Sequence, residues 1–415
     1  MEVLYACCCG LDVHKKSITA CCRWQEPGGK WRREIRKFGT YSSQLRQMST
    51  WLRQVGVEQV AMESTGSYWR PVWNILEAEG MPMVLANPQQ VRKAPPGRKT
   101  DVKDPEWISD LAAHGLIAPS FVPNRHMREL RDLTRMRSKV VQDHTRVVNR
   151  LQALLEDANI KLSSVVTDIL GVSSRAMLQG LLEGRAAAEL AELARGKLRA
   201  RLEDLREALD GEFRREHAFL LKRLLMQLRF LENQEKALRS EIERRLSEEE
   251  KQAIELWDTI PGVNQAVAWT LVAEMGVNPD QFPDAHHFAS WAGVCPGNNE
   301  SGGRQHYGRT RKANSWLKAA LCEAAWSASR AKDSYLAAQF RRMVTRKGRK
   351  RAIVAVAHSI AVAAYQMLKN HQPWSDLGAD YFDRTQPDKT ADRLLQRLSK
   401  MGYDVSQIRK SPETK

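Results

Sequence analysis

Residues 3–24, VLYACCCGLDVHKKSITACCRW, read as two β-strands joined by a short basic turn. Both runs are rich in small, thiol and β-branched side chains, which suit a sheet interior better than a helix surface. The next run, KWRREIRKF at 30–38, follows QEPGG, whose Pro and paired Gly mark a hairpin-type turn. Residues 42–55 are helix-like, and EQVAMES at 58–64 is a strand. GSYWRPVWNILEAEG at 66–80 reads as a helix that Ser64 or Thr65 is placed to cap. MPMVLAN at 81–87 is a further strand, closed by Pro88. VRKAPPGRKT at 91–100 is a Pro-, Gly- and cation-rich loop leading into a helix, DVKDPEWISDLAAHG at 101–115.

The order βββαβαβα predicts an α/β domain of RNase H-like type, an antiparallel hairpin region feeding a parallel sheet flanked by helices. That frame gives four acids a common address. Asp12 follows the first strand, Glu63 ends a later one, and Asp101 and Asp104 share one face of a helix at i, i+3. Acidic side chains at strand ends, converging with a helical pair, suit an all-oxygen site for Mg²⁺ or Mn²⁺. Two such ions clamp the attacking and leaving oxygens of a phosphodiester. Clustered carboxylates otherwise repel one another and need a cation to stay ionised. A lone strand-end Asp is ordinarily a turn or cap residue, and it is the company of the other three that singles out Asp12. Glu106 and Asp110, on the same helix, are expected to be solvated.

At 415 residues the chain is too long for one ordinary core. Lys+Arg number 65 against 49 Asp+Glu, a net charge of +16, and the densest cationic runs are RQHYGRTRK at 304–312 and RRMVTRKGRKR at 341–351. Clustered excess charge favours a polyanion partner, with salt-dependent binding, over merely solvated charge. The cysteines are Cys7, Cys8, Cys9, Cys21, Cys22, Cys295 and Cys322, an odd number that argues against a closed disulfide framework. Adjacent thiols on a strand point to opposite faces, so small buried hydrophobes are the expected role rather than metal ligands. No signal peptide and no apolar run of bilayer-spanning length is read, and a cytoplasmic, nucleoid-associated protein without membrane contact is expected.

Residues 125–255 are charged, helical and poor in Gly and Pro. Leu224, Leu231 and Leu238 repeat every seven residues, with Leu221, Leu228 and Ile242 on the alternate seam and Glu235 interrupting it, a coiled-coil pattern. MRELRDLTRMRSKVVQDHTRVVNRLQALLEDA at 127–158 offers a partner helix. A bundle within one chain and a dimerising spacer both fit. Between them lies an Ala/Leu-rich insertion at 173–195. The expected domains are 1–120, 121–255, 256–372 and a polar, partly loose tail at 373–415. IPGVN at 260–264 suits either an ordinary helix connection or a helix-hairpin-helix turn whose amides meet phosphate.

The set Asp12, Glu63, Asp101 and Asp104 resembles the DEDD signature of RuvC-like insertion-sequence transposases, the bridge-RNA-guided DEDD-serine recombinases. PGVNQAVAWTLVAEMG at 261–276, followed by FASWAGVCPGNNESGGRQHYGRTRKANSWLKAAL at 288–321, resembles the C-terminal domain of the same family. There an SGG serine is the nucleophile, which implies Ser301 here. The resemblance further implies double-stranded DNA as substrate, a guide noncoding RNA, and a homo-oligomer, dimer or tetramer, in which acids of one protomer meet the serine of another. The residues themselves add a modest case. Gly302 and Gly303 permit close backbone approach to a phosphate, and Arg304, Arg309, Arg311 and Lys312 suit its oxygens. Arg349, Lys350 and Arg351 are further candidates for nucleic-acid contact. Tyr307, beside His306, is the competing nucleophile. Tyr68 and Trp69 suit base stacking or, for Trp69 above all, packing of their helix. A metal-dependent junction resolvase that uses water, and a nonenzymatic nucleic-acid scaffold, are the alternative functions.

Overall fold

A computed structural model describes residues 3–26, 28–63, 66–86, 103–301, 304–310, 313–406 and 408, with residues 103, 298–301 and 304–309 described as backbone. The chain divides into two compact units, Met1–Arg125 and His126–Lys415.

Unit 1 follows the predicted order. Its strands are β1 (Cys7–Val13), β2 (Ser17–Gln25) and β3 (Trp31–Gly39). Then come α1 (Ser42–Val55), β4 (Gln59–Glu63), α2 (Trp69–Ala78), β5 (Met83–Ala86) and α3 (Lys103–Ala113). The strands form one five-stranded sheet in the order β3-β2-β1-β4-β5. β2 lies between β1 and β3 and is antiparallel to both, while β4 and β5 continue from β1 in parallel. Because side chains alternate along a strand, β1 serves two cores at once. Cys9, Leu11 and Val13 pack with Met48 and Leu52 of α1 and Val72 and Leu76 of α2. Cys8 packs with Ala61 of β4 and with Ile108, Ala112 and Ala113 of α3. This two-faced burial explains why β1 carries thiols and aliphatics instead of alternating polarity. Burial, with the neighbouring Cys22, pushes the Cys7 thiol up to about 11. Burial and Cys7 push Cys8 up to about 12.

The start of α2 departs from expectation. Tyr68 precedes the helix and makes no side-chain cap, while Ser64 and Thr65 lie outside the described residues. Trp69 meets Trp73 edge-on at 6.0 Å, a packing role.

Unit 2 is almost entirely helical. It opens with α4 (Arg125–Asp157), followed by α5 (Val172–Leu182), α6 (Leu202–Leu209) and α7 (Arg215–Arg245). α4 and α7 run antiparallel, as three side-chain contacts along their length demonstrate: the ion pairs Glu129–Arg245 at 3.1 Å and Arg137–Glu235 at 2.7 Å, and a hydrogen bond between His217 Nε2 and Asp157 at 3.0 Å. Val140, Val147, Leu151 and Leu155 of α4 face Leu221, Leu228 and Leu231 of α7, and α5 and α6 cover one end. The heptad seam of α7 therefore packs within its own chain. Glu235, the break in that seam, is the residue that pairs with Arg137.

The remaining helices are α8 (Glu248–Asp258), α9 (Gln265–Met275) and α10 (Ala285–Trp291). A two-stranded ribbon of β6 (Pro296–Ser301) and β7 (Arg304–Thr310) follows. Next are α11 (Ser315–Ala328), α12 (Tyr335–Lys347) and α13 (Arg349–Asn370). α13 is long and apolar enough by composition to cross a membrane, against the reading of the sequence. Ile353, Val356, Ile360, Ala364 and Leu368 nevertheless bury it in the core of unit 2. The IPGVN turn also resolves. A Cβ on Gly262, which has φ +89°, would fall 2.3 Å from the Ala324 carbonyl and 2.5 Å from the Ala328 amide. Gly262 is thus pressed against α11, as an ordinary helix connection requires. The described part of the tail carries helix and packs back on unit 2. Tyr381 and Phe382 each stand 5.2 Å from the ring of Tyr335 on α12, and α14 (Pro387–Lys400) follows.

Candidate active site

Gly10 explains how the acids meet. A Cβ there would lie 2.1 Å from the Pro105 carbonyl and 2.6 Å from the Ser109 amide, so only glycine lets the first turns of α3 rest on β1. At its other end α3 reaches the start of the chain, where the amide of Leu4 donates to the Ala113 carbonyl at 2.9 Å. α3 is therefore antiparallel to β1, and its N-terminal residue Asp104 belongs to the end of the sheet where Asp12 lies. On β4, Ala61 faces α3, and so two residues later does Glu63. β1 and β4 pair Gly10 with Ala61 and Leu11 with Met62. One further step along that register sets Asp12 beside Glu63 on strands about 4.8 Å apart.

Asp12, Glu63 and the start of α3 thus share one face and one end of the sheet. Asp12 is 19% exposed and its Oδ2 lies 3.0 Å from His14 Nε2. Asp101 lies outside the described residues. Among the described residues no three His, Cys, Asp or Glu side chains form a metal-holding group. The donors brought together are nonetheless of the right kind: two side-by-side carboxylates, with a third at the start of α3, are hard oxygen ligands of the sort Mg²⁺ and Mn²⁺ take.

Glu106 and Asp110 are not solvated bystanders. Arg33 of β3 pairs with Glu106 at 2.9 Å, and Arg23 of β2 pairs with Asp110 while its guanidinium sits 4.1 Å from the Trp31 ring centre. These contacts tie α3 to the hairpin strands and so help to fix Asp104. One residue escaped the sequence reading. β2 pairs Thr19 with both Asp12 and Lys37, which places exposed Lys37 in the same cross-strand row as the acids, on their face. The signal was available in the period of two along β3 once the hairpin register was known. The β1–β2 turn at Lys15 and Lys16 is tied to the end of β3, where Thr40 Oγ1 donates to the Lys15 carbonyl at 3.1 Å.

In unit 2, Ser301 ends a strand rather than lying in an open loop. β6 and β7 pair Ser301 with Arg304, Asn299 with His306 and Asn298 with Tyr307. By register, positions 301, 304 and 306 fall on one face of the ribbon and position 307 on the other. Arg309 also lies on β7, whereas Gly302, Gly303, Arg311 and Lys312 are outside the described residues. At the ribbon's base, Lys318 Nζ donates to Thr310 Oγ1 at 2.5 Å. The second cationic run forms the corner between α12 and α13. Gly348, at φ +75°, turns the chain there, and Arg346, Lys347, Arg349, Lys350 and Arg351 are exposed around it.

Comparison with known proteins gives the class first. A DEDD transposase family of the IS110 type matches residues 9–160, which span the carboxylate sheet. A "probable family 20 transposase" of Pseudomonas aeruginosa is 26% identical over 282 residues, 67% of this chain and 73% of its own length. The transposase IS116/IS110/IS902 family matches residues 254–341, which include the ribbon. The chain is thus similar to IS110-type transposases in two stretches: the first covers most of unit 1 and continues into α4 of unit 2, and the second lies within unit 2.

Proposed function

We propose that the protein is a DNA transposase that cuts and exchanges strands of double-stranded DNA with a serine nucleophile and divalent metal, under the guidance of a noncoding RNA, as a dimer or tetramer. The observation that carries this reading is the shared face and end of Asp12, Glu63 and Asp104. The sheet order and its mix of antiparallel and parallel neighbours support an RNase H-like assignment for unit 1. Asp12, Glu63, Asp101 and Asp104 would hold Mg²⁺ or Mn²⁺. Bound there, the ion supplies electrostatic stabilisation of charge on the phosphate oxygens.

The chain's own residues do the rest. Ser301 Oγ attacks the phosphorus, the bond from phosphorus to the leaving deoxyribose oxygen breaks, and the serine proton departs as that oxygen gains one. The DNA strand is then held as a phosphoserine ester until a hydroxyl end of another strand attacks it and releases the serine. Arg304, Arg309, Arg311 and Lys312 hold phosphate oxygens near the serine. Arg349, Lys350 and Arg351 bind backbone further away.

A denaturing gel of the protein with its copurifying RNA, Mg²⁺ and plasmid DNA carrying the insertion sequence tests this. A covalent protein–DNA band that Ser301→Ala abolishes is expected. Free cut ends without an adduct would instead make the protein a junction resolvase, and intact DNA would make it a scaffold.

A further inference from the structure

We infer that Glu274, Arg135 and Asn314 form a clasp that aims the Ser301 ribbon, an inference resting on the reading of Ser301 as nucleophile. Glu274, one residue from the end of α9, is fully buried. A carboxylate withdrawn from water has to be met by donors on both oxygens. Arg135 of α4 provides the fork, with Nε donating to Oε1 at 2.7 Å and Nη2 to Oε2 at 2.9 Å. Arg131, one turn earlier, approaches Oε2 to 3.2 Å and donates to the Ala273 carbonyl at 2.8 Å. The last donor is Asn314, whose Nδ2 reaches Oε2 at 2.7 Å.

Asn314 has a second duty. Its Oδ1 accepts from the Leu317 amide at 3.2 Å and so caps the first turn of α11. One side-chain amide thereby joins α11, which Lys318 ties to Thr310 at the ribbon's base, to a buried charge shared by α4 and α9. Trp316, two residues further on, has Arg135 and Lys139 each 5.9 Å from its ring centre.

The physical argument is leverage. β7 has seven residues from Arg304 to Thr310. At ~3.3 Å per residue its far end stands ~20 Å from its base, so a tilt of ~0.1 radian there would move the tip by ~2 Å. A misplacement of ~1 Å at a reacting group can cost ~10²-fold in rate. Buried ion pairs add little net stability over well-packed apolar side chains, but a fully satisfied polar network imposes one geometry. A clasp of this kind at the root of a lever is therefore explained by position more than by stability. Glu274 and Asn314 act through the ribbon and are positioning residues.

The test uses the full-length protein. Asn314→Ser keeps a capping oxygen but no longer reaches Glu274. Asn314→Asp also keeps a capping oxygen but sets a second carboxylate against Glu274, so it breaks the link while Arg135 keeps its fork. Hydrogen exchange of peptides covering residues 296–310 is expected to rise about tenfold in Asn314→Ser, the effect of removing one bond to a charged group, and at least as much in Asn314→Asp. The rate of covalent attachment to plasmid DNA carrying the insertion sequence should fall ~10²-fold, with half-saturating DNA unchanged. Unchanged ribbon exchange in Asn314→Ser overturns the clasp, and so does an attachment rate that stays at the parent value in both variants. Should the parent protein form no serine adduct, the nucleophile reading fails, while the exchange measurement still decides the clasp.

Discussion

The acids and the serine are held by opposite kinds of architecture. Asp12 and Glu63 leave the ends of neighbouring strands buried on both faces, so their spacing comes from backbone pairing and needs no side chain to hold it. Ser301 stands on an isolated two-stranded ribbon, a structure that is marginal alone and takes its orientation from whatever grips its base. The comparison teaches that one candidate site is set by backbone pairing within a sheet and the other by side-chain contacts more than a hundred residues apart in the chain, such as Arg135 with Glu274.

The sharpest way to break that contrast is to remove one group from each side. Asp12→Ala should abolish strand cutting, because removing a ligand takes away transition-state stabilisation worth several kcal/mol, while fold and DNA binding persist. Ser301→Ala should equally abolish the adduct, and Tyr307→Phe should keep it. Cutting by Asp12→Ala at the parent rate, read on a denaturing gel, would count against the acid site. Next in size is Gly10→Val. The added side chain meets the α3 backbone, so a loss of about 1–3 kcal/mol is expected from overpacking, with cutting abolished as Asp104 shifts. Chemical denaturation and the same gel check it. A Gly10→Val protein that remains stable and active would mean that α3 does not set the acids.

Smaller effects sharpen the picture. Changing Arg349, Lys350 and Arg351 together to Gln should flatten the log–log salt dependence of duplex binding by about 0.9 for each phosphate no longer neutralised. Titration at several salt concentrations reads this, and an unaltered slope would remove the α12–α13 corner from the interface. Lys37→Gln should weaken DNA binding only a few-fold, about the worth of one phosphate contact near the acids, without changing Tm. A last test is alkaline. The Cys7 thiol is raised from 9.0 to about 11, so it contributes stability that is fully present below pH 9 and fades as pH climbs toward 11. A Tm that holds constant over that window would contradict its burial.

Unit 1 was legible for a physical reason. The helix at 42–55 and the strands around Asp12 and Glu63 follow from short-range periodicity, and the structure places them where the residues indicated. What escaped depends on partners far along the chain. Glu106 and Asp110 looked solvated because nothing within their helix reveals Arg33 and Arg23. The heptads of α7 define an apolar stripe and residues 127–158 offer it a mate, but only the packing shows the seam closed by α4 of the same chain. α13 is apolar enough for a membrane, and only the surrounding helices show that it is a core element. Gly262 reads as a turn residue until the helix pressing on it is known.

The pairing of β1 with β4 also fixes which rearrangements of this sequence are survivable. Side chains in a strand alternate with a period of two, so deleting one residue between Cys9 and Asp12 would turn the acid into the α1–α2 core and bring an apolar side chain to the active face. Deleting two would restore the face but move Asp12 about 6.6 Å along the strand, out of step with Glu63. Length changes in β1 are therefore governed first by parity and then by distance, and neither kind leaves the two acids side by side.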